Sequence, residues 1–476
     1  MNYEYKNLIT LEESFSLSAS NIKELYAECV SKELVKLFSF FSFSNDVPIS
    51  SSGCYINLKN GSKILDITGG IGVLNHGHNH PEIIKARIKY QENLRMEVHK
   101  NYLSPIYAAL AKNIKTITPN GLDISFFPSS GSEAVEGCLK MAYKYSNPNY
   151  KNPKRNVVLH AKESFHGKLL GAGSITGSPE LNYIFPGPFL KGSFRRNNIK
   201  DVYSLIEKYS SNKKTKIFAI IYEPFSASLC EESPTEFLEK LRVISKKYDI
   251  PLIFDEVYTG LFKTGELFNF MRTNIVPDLV TFAKSFGGGK SSIAGYIANK
   301  NIFKKSYGSS KYATLHSTTY AGLGEEAATA IKSIEIAIKD DYRSKSKDIG
   351  KKLKTILQNI NTHSKIIKNI SGSGALWAVE INPLKIASLV PIASLDFRFA
   401  QKLATALIIE KLYSEYKILS FFGSNNKIKL IISLPLIATD LEINKLKVAL
   451  ENVFMNKTHL NRLFVQKTIK QLIKSF

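Results

Sequence analysis

The chain has 476 residues, 44% of them apolar, and a formal net charge of +23. That length supports two domains with sizeable cores, and the apolar share argues against a disordered chain. The positive charge sits mostly on dispersed lysines, with no arginine-rich block, zinc-type cysteine pair or recurrent aromatic-basic motif, so it reads as solvated surface and not as a nucleic-acid footprint. Cys29, Cys54, Cys138 and Cys230 stand singly, in neither a metal-ligand spacing nor a disulfide framework, which suits a reducing, cytoplasmic setting. No apolar run is long enough to span a bilayer, and the N-terminus lacks the basic-then-apolar order of a signal peptide.

In chain order, residues 1–60 mix short apolar patches with a serine-rich stretch and read as a leading segment. "GCYINLKNGSKILDIT" reads as strand, Asn-Gly turn, strand. From Gly69 to about Thr319 short β-rich runs alternate with helical periodicity. The strands are "ISFFPS", "NVVLHA", "IFAIIYEP", "PLIFDEV", "DLVTFAK" and "IAGYIAN"; "SEAVEGCLKMAYKYS" and "PTEFLEKLRVISKKYD" typify the helices. This pattern predicts an α/β domain over 61–320 whose sheet is covered on both faces. Beyond it come a helix through Lys339, a polar connection, the strand candidate "GALWAVEIN", a helix from Asp396 to Tyr416 and "KIKLIISLPL". These predict a smaller α+β unit over 321–455. The tail, 456–476, has the spacing of a basic amphipathic helix, read as a packing element or, on a sharper reading, as a membrane or partner contact.

Ligands of open α/β sheets sit beyond the carboxyl ends of strands, so polar residues just after the strand runs come first. In "PSSGSEAVEG", Gly131 and Ser132 open a helix whose free N–H groups and dipole favour a phosphate, although Ser-Gly-Ser before Glu is also an ordinary helix start. Asp255 ends the apolar run of "PLIFDEVYTG", where a carboxylate must be paired or hydrogen-bonded; a cofactor with a protonated ring nitrogen or a structural salt bridge would serve. Val257 returns to the same face if strand geometry persists. Lys284 closes the next strand and precedes three glycines in "VTFAKSFGGGK". A lysine there can reach a carbonyl and form an imine, and the glycines would permit close backbone approach. In "ESFHGK", Phe165 could stack on an aromatic ring; His166 reads as a core histidine or as an acid or base. A phosphate nest, a strand-end aspartate, a stacking aromatic and an imine-capable lysine together suit pyridoxal 5'-phosphate. A nicotinamide site is disfavoured, because "GGIGVLNHG" lacks the complete glycine pattern.

Through "GGIGVLNHGHNHPEI", "SSGSEAVEGCLKMA", "FHGK", "YEP", "LIFDEVYTGLFKTGELF", "PDLVTFAKSFGGG" and "LHSTTYAG" the sequence resembles the class III aminotransferases, nearest to the ornithine and putrescine group. The resemblance covers about residues 50 to 450. It implies fold type I, with a large domain around a mostly parallel seven-stranded sheet and a small α+β domain to which the leading segment contributes. It also implies a homodimer with shared active sites and amino-group transfer between an amine or amino acid and a keto or aldehyde compound by a ping-pong Schiff-base route. Lys284 would carry the cofactor and shuttle the proton, Asp255 would hold the pyridine nitrogen, and Phe165 and Val257 would flank the ring. Gly131 and Ser132 would hold the phosphate, joined by Thr319 of the neighbouring subunit.

The sequence departs from that pattern where the family holds a carboxylate. Ser228 stands at the position of a glutamate and Ile431 at that of an arginine, the two halves of a gate for glutamate and 2-oxoglutarate. Losing both is coherent, since one half alone would leave a buried charge unpaired. Lys168 replaces an arginine common in relatives, and Tyr258 replaces a glutamine, adding an aromatic wall. These substitutions imply a less charged pocket. They leave open an alternative, an aminomutase or racemase/epimerase acting within one substrate. A non-enzymatic scaffold is disfavoured by the presence of both Lys284 and Asp255.

Overall fold

The computed structural model describes residues 8–149, 151–177, 187–212, 215–364, 366–385, 397–423 and 428–455. Seven strands form the central sheet: β1 (Ile124–Phe126), β2 (Arg155–Ala161), β3 (Leu190–Phe194), β4 (Lys216–Tyr222), β5 (Leu252–Asp255), β6 (Leu279–Phe282) and β7 (Gly295–Ala298). Their spatial order is β1-β7-β6-β5-β4-β2-β3. β7 runs antiparallel to both neighbours, while the pairings from β6 across to β3 are parallel. β5 and β6 are buried along their whole length, as is β4 after Lys216, which is why they read as unbroken apolar runs. Six of these strands are the expected ones. β3 is an additional edge strand; its "LKGSF" carries a lysine, a glycine and an exposed Leu190, so no apolar pattern announces it.

Parallel strands bring their carboxyl ends to one edge of the sheet. The register Ile253 to Leu279 and Asp255 to Thr281 sets the end of β5 beside that of β6. The helix α1 (Gly131–Ser146) starts at the same edge, after β1. Ser130 caps it in a reciprocal box with Glu133: Glu133 N–H donates to Ser130 Oγ at 3.3 Å, and Ser130 N–H to Glu133 Oε2 at 2.8 Å.

The second layer holds a four-stranded sheet of Ile367–Ser373, Leu376–Ile381, Lys429–Ser433 and Phe421–Gly423, with helices Phe397–Tyr416 and Asp440–Met455. The polar connection expected after Lys339 is instead a 23-residue helix, Tyr342–Ser364. Its lysines mask a stripe of Ile349, Leu353, Ile356, Leu357 and Ile360, which is buried at helical spacing. The leading segment forms helices Leu11–Ser16, Ala19–Tyr26 and Lys32–Phe40 and then a meander of Pro48–Ser52, Tyr55–Leu58 and Lys63–Asp66. The last of these strands pairs in parallel with Ile418–Leu419. The tail expected to be helical, 456–476, lies outside the described residues. No helix among the described residues is long and apolar enough to cross a membrane.

One buried cation ties the second layer to the loop after β4. Lys429 Nζ, with no exposed side-chain surface, donates to Glu231 Oε1 at 2.8 Å, to the Leu229 carbonyl at 2.8 Å and to Ser371 Oγ at 3.0 Å. Removing it breaks two hydrogen bonds, leaving the Leu229 carbonyl with only the Ser371 hydroxyl, and takes the ion-pair partner from a partly hydrated Glu231, a loss of about 2 kcal/mol. Lys429→Ala is therefore expected to lower the urea unfolding midpoint by that equivalent; an unchanged midpoint would show that the network contributes nothing.

Candidate active site

Asp255 closes β5 in a nearly fully buried position. Its Oδ1 accepts from the Val257 N–H at 3.1 Å and from Thr281 Oγ1 at 2.9 Å, and its Oδ2 lies 2.7 Å from His166 Nδ1. The strand register supplies Thr281, and the turn after β5 supplies Val257. The strand geometry on which the placing of Val257 is conditional does not persist, the strand ending at Asp255. The chain turns after Glu256, and the turn still brings the Val257 side chain to the cavity. Glu256 points the other way, accepting from the Asn269 and Phe270 N–H groups at 2.9 and 2.8 Å; burial pushes its carboxyl up to about 7.

Lys284 follows β6 by two residues and adopts φ 55, a left-handed backbone unusual for a lysine. Its Nζ stands 3.7 Å from the centroid of the Tyr258 ring. Burial lowers its ammonium to about 7, against the opposing pull of the Asp255 and Glu223 carboxylates. The glycines after it serve packing. A Cβ on Gly288, at φ 59, would come within 2.6 Å of Ile83 Cδ1, so close backbone approach is made to the helix Pro81–Glu92 and not to a ligand.

Glu223 follows β4 and is buried, its Oε2 accepting from the Phe165 N–H at 2.9 Å and its Oε1 from the Ala227 N–H at 3.0 Å. Burial raises its pKa. This carboxylate fixes both the segment that carries Phe165 and the loop beyond β4. His166 donates its backbone N–H to Thr176 Oγ1 at 3.0 Å, and its Nε2 is buried with no hydrogen-bond partner.

These groups surround a cavity of about 310 Å³. Gly131, Ser132, Phe165, Asp255, Val257, Tyr258 and Lys284 all line it, as do His166 and Glu223. The remaining candidates lie elsewhere. Lys168 and Thr319 are exposed. Ile431 is buried in a cluster with Phe225, Cys230, Tyr258, Leu376 and Ala378. Ser228 lies beside that cluster: a Cβ on Gly423 would meet the Ser228 carbonyl at 2.8 Å and Ile431 Cδ1 at 3.7 Å. The two gate positions thus flank one glycine behind the cavity wall, although neither lines the cavity. Sequence reasoning passed over Glu223, which the strand-end rule that found Asp255 could have found in "YEP". It also inclined to His166 as a core histidine; only the fold brings that ring onto Asp255.

The family model for class-III aminotransferases matches residues 46–411. The chain belongs to the class III aminotransferases, enzymes of fold type I that use pyridoxal 5'-phosphate. Among solved structures, it resembles a transaminase from the marine bacterium Virgibacillus at 23% identity and a TM-score of 0.76, over 88% of this chain and 94% of that one. It resembles the ornithine aminotransferase of Toxoplasma gondii at 19% identity and 0.78, over 94% and 98%, and that of Plasmodium falciparum at 18% and 0.68, over 88% and 94%. At these identities the likeness is one of fold. The family assignment makes the chain an aminotransferase working by ping-pong amino-group transfer.

The start of α1 presses on the turn after β5. A Cβ on Gly131 would lie 2.8 Å from Val257 Cγ1 and 3.4 Å from Ala283 Cβ. Gly131→Ala is expected to lower stability by about 1–3 kcal/mol through overpacking. Adding Val257→Ala should recover part of that loss in a thermal-melt double-mutant cycle; strict additivity would show that the two residues do not press on one another.

Proposed function

We propose that Lys284 and Asp255 are the catalytic pair of this aminotransferase and that the cavity between them is its cofactor site. The donor set fits pyridoxal 5'-phosphate. The free N–H groups at Gly131 and Ser132 suit its phosphate, Asp255 suits a protonated ring nitrogen, and Lys284 Nζ suits its aldehyde. When bound, the cofactor supplies a ring that accepts the electron pair left on the substrate carbon as its proton departs. The chain does the rest. Lys284, poised near neutrality, takes the proton from one carbon and returns it to another. Asp255 stays fixed because Val257, Thr281 and His166 hold its two oxygens, so it faces the ring in one orientation. Phe165 and Val257, which both line the cavity, would flank the ring. The observation that carries this reading is the convergence of Asp255 and Lys284, from the ends of adjacent strands, on one cavity that also holds a helix N-terminus.

The test is Lys284→Ala, which should abolish covalent capture of the cofactor and turnover while leaving the fold intact. Capture by wild-type apoprotein requires the free amine. Its rate should therefore climb with pH through about 7 and level off above it, where an ordinary lysine would still be gaining near 10. Normal turnover by the variant would defeat the assignment.

A homodimer with shared sites is part of the same proposal, with Thr319 serving the partner's phosphate site. Thr319 is exposed and absent from the cavity of its own chain. Leu94, Tyr102, Leu103 and Tyr320 are also exposed, Leu103 completely, apolar surface that a partner subunit would cover. Sedimentation equilibrium is expected to give about twice the 53.3 kDa chain mass. A monomer at micromolar concentration would remove Thr319 from the site.

A further inference from the structure

We infer that this active site takes amines and carbonyl compounds whose far end is uncharged and apolar, and that it discriminates against dicarboxylates. The inference rests on the reading of the site above. It begins with the charges at the cavity surface. Of the lining residues only Lys284 carries a lysine or arginine charge, while Glu223 and Asp255 both present carboxylates. The helix N-terminus at Gly131 and Ser132 would be taken by the cofactor phosphate and so would not be available for a second anion. With Asp255 paired to the ring nitrogen on that reading, a substrate carboxylate bound beyond the reacting carbon would meet the Glu223 carboxyl and no lining guanidinium from this chain.

Three cations near the cavity are committed elsewhere, and Lys168, next to the lining Gly167, is exposed and does not itself line the cavity. Arg196 donates through Nη1 to the Glu223 carbonyl and through Nη2 to the Glu231 carbonyl and Ser233 Oγ. Lys429 is held by Glu231, Leu229 and Ser371. Lys263 is fully buried and donates to the Leu434 carbonyl at 3.0 Å. Releasing any of them to a substrate would strand the acceptors it now serves.

What stands there instead is apolar. The Tyr258 ring that covers Lys284 Nζ belongs to the cluster of Phe225, Leu376, Ala378 and Ile431, and Tyr258, Phe225 and Ala227 present that cluster to the cavity. Gly72 packs closely on the same ring, where a Cβ would lie 2.9 Å from it, so a side chain there would displace the ring. An apolar group attached to the reacting amine carbon can pack directly against this wall. Each methylene so buried strengthens binding by about fourfold. A carboxylate placed there forfeits a charge-assisted hydrogen bond, a loss of about tenfold to a hundredfold.

The experiment uses the full-length, cofactor-loaded enzyme with no amino acceptor, following loss of the visible absorption of the lysine-bound cofactor. n-Propylamine, n-butylamine, n-pentylamine and benzylamine are titrated beside L-glutamate. The half-saturating concentration should fall by about threefold to fourfold per methylene along the alkyl series, and L-glutamate should need at least about tenfold more than n-pentylamine. Half-saturation by L-glutamate at or below the n-pentylamine concentration would overturn the inference and leave the aminotransferase site standing. A flat alkyl series would also overturn it, because the wall would then make no contact with the substrate. No response to any amine would overturn both the inference and the site assignment.

Discussion

A carboxylate at the buried end of a β-strand is the constraint around which this site is organised. Asp255 would cost several kcal/mol if its oxygens were left bare in that position. The fold answers with three donors from three different places: the turn that follows β5, the neighbouring strand β6 and the segment after β2 that carries His166. Each depends on the parallel register that sets Asp255 beside Thr281. The same register sends the chain on from β6 to Lys284 at the same edge of the sheet.

Lys284 is shaped by what surrounds it. Its left-handed backbone is tolerated because the glycine turn behind it is packed against the helix Pro81–Glu92. Burial lowers its ammonium, and the two carboxylates nearby temper that effect. Glu223 contributes twice, by its charge and by holding the Phe165 segment through one oxygen and the loop after β4 through the other. A side chain that reads in sequence as one more acidic residue is thus a clamp between two walls of the cavity.

Another wall of the cavity is apolar. Ser228 and Ile431 flank Gly423 behind an apolar surface of Phe225, Ala227 and Tyr258. The Tyr258 ring also covers Lys284 Nζ.

Much of this protein is local and was therefore legible. The unbroken apolar runs of β4, β5 and β6 declare buried parallel strands, and the capping box at Ser130 and Glu133 declares the start of α1. Asp255 and Lys284 could be picked out because each ends such a run, where only a functional or paired charge is tolerable. Relations between distant segments were not legible. β3 has no pattern of its own and forms because β2 offers an edge. The helix Tyr342–Ser364 hides its apolar stripe among lysines, and reading it needs the period and not the composition. The partner of His166 lies 89 residues away, and the turn after Glu256, not strand alternation, aims Val257. The sequence by itself determined the elements and the chemistry at their ends, because hydrophobic periodicity and capping act over a few residues. Only the tertiary structure decided which ends meet, because burial and hydrogen bonding between remote segments are settled when the sheet assembles.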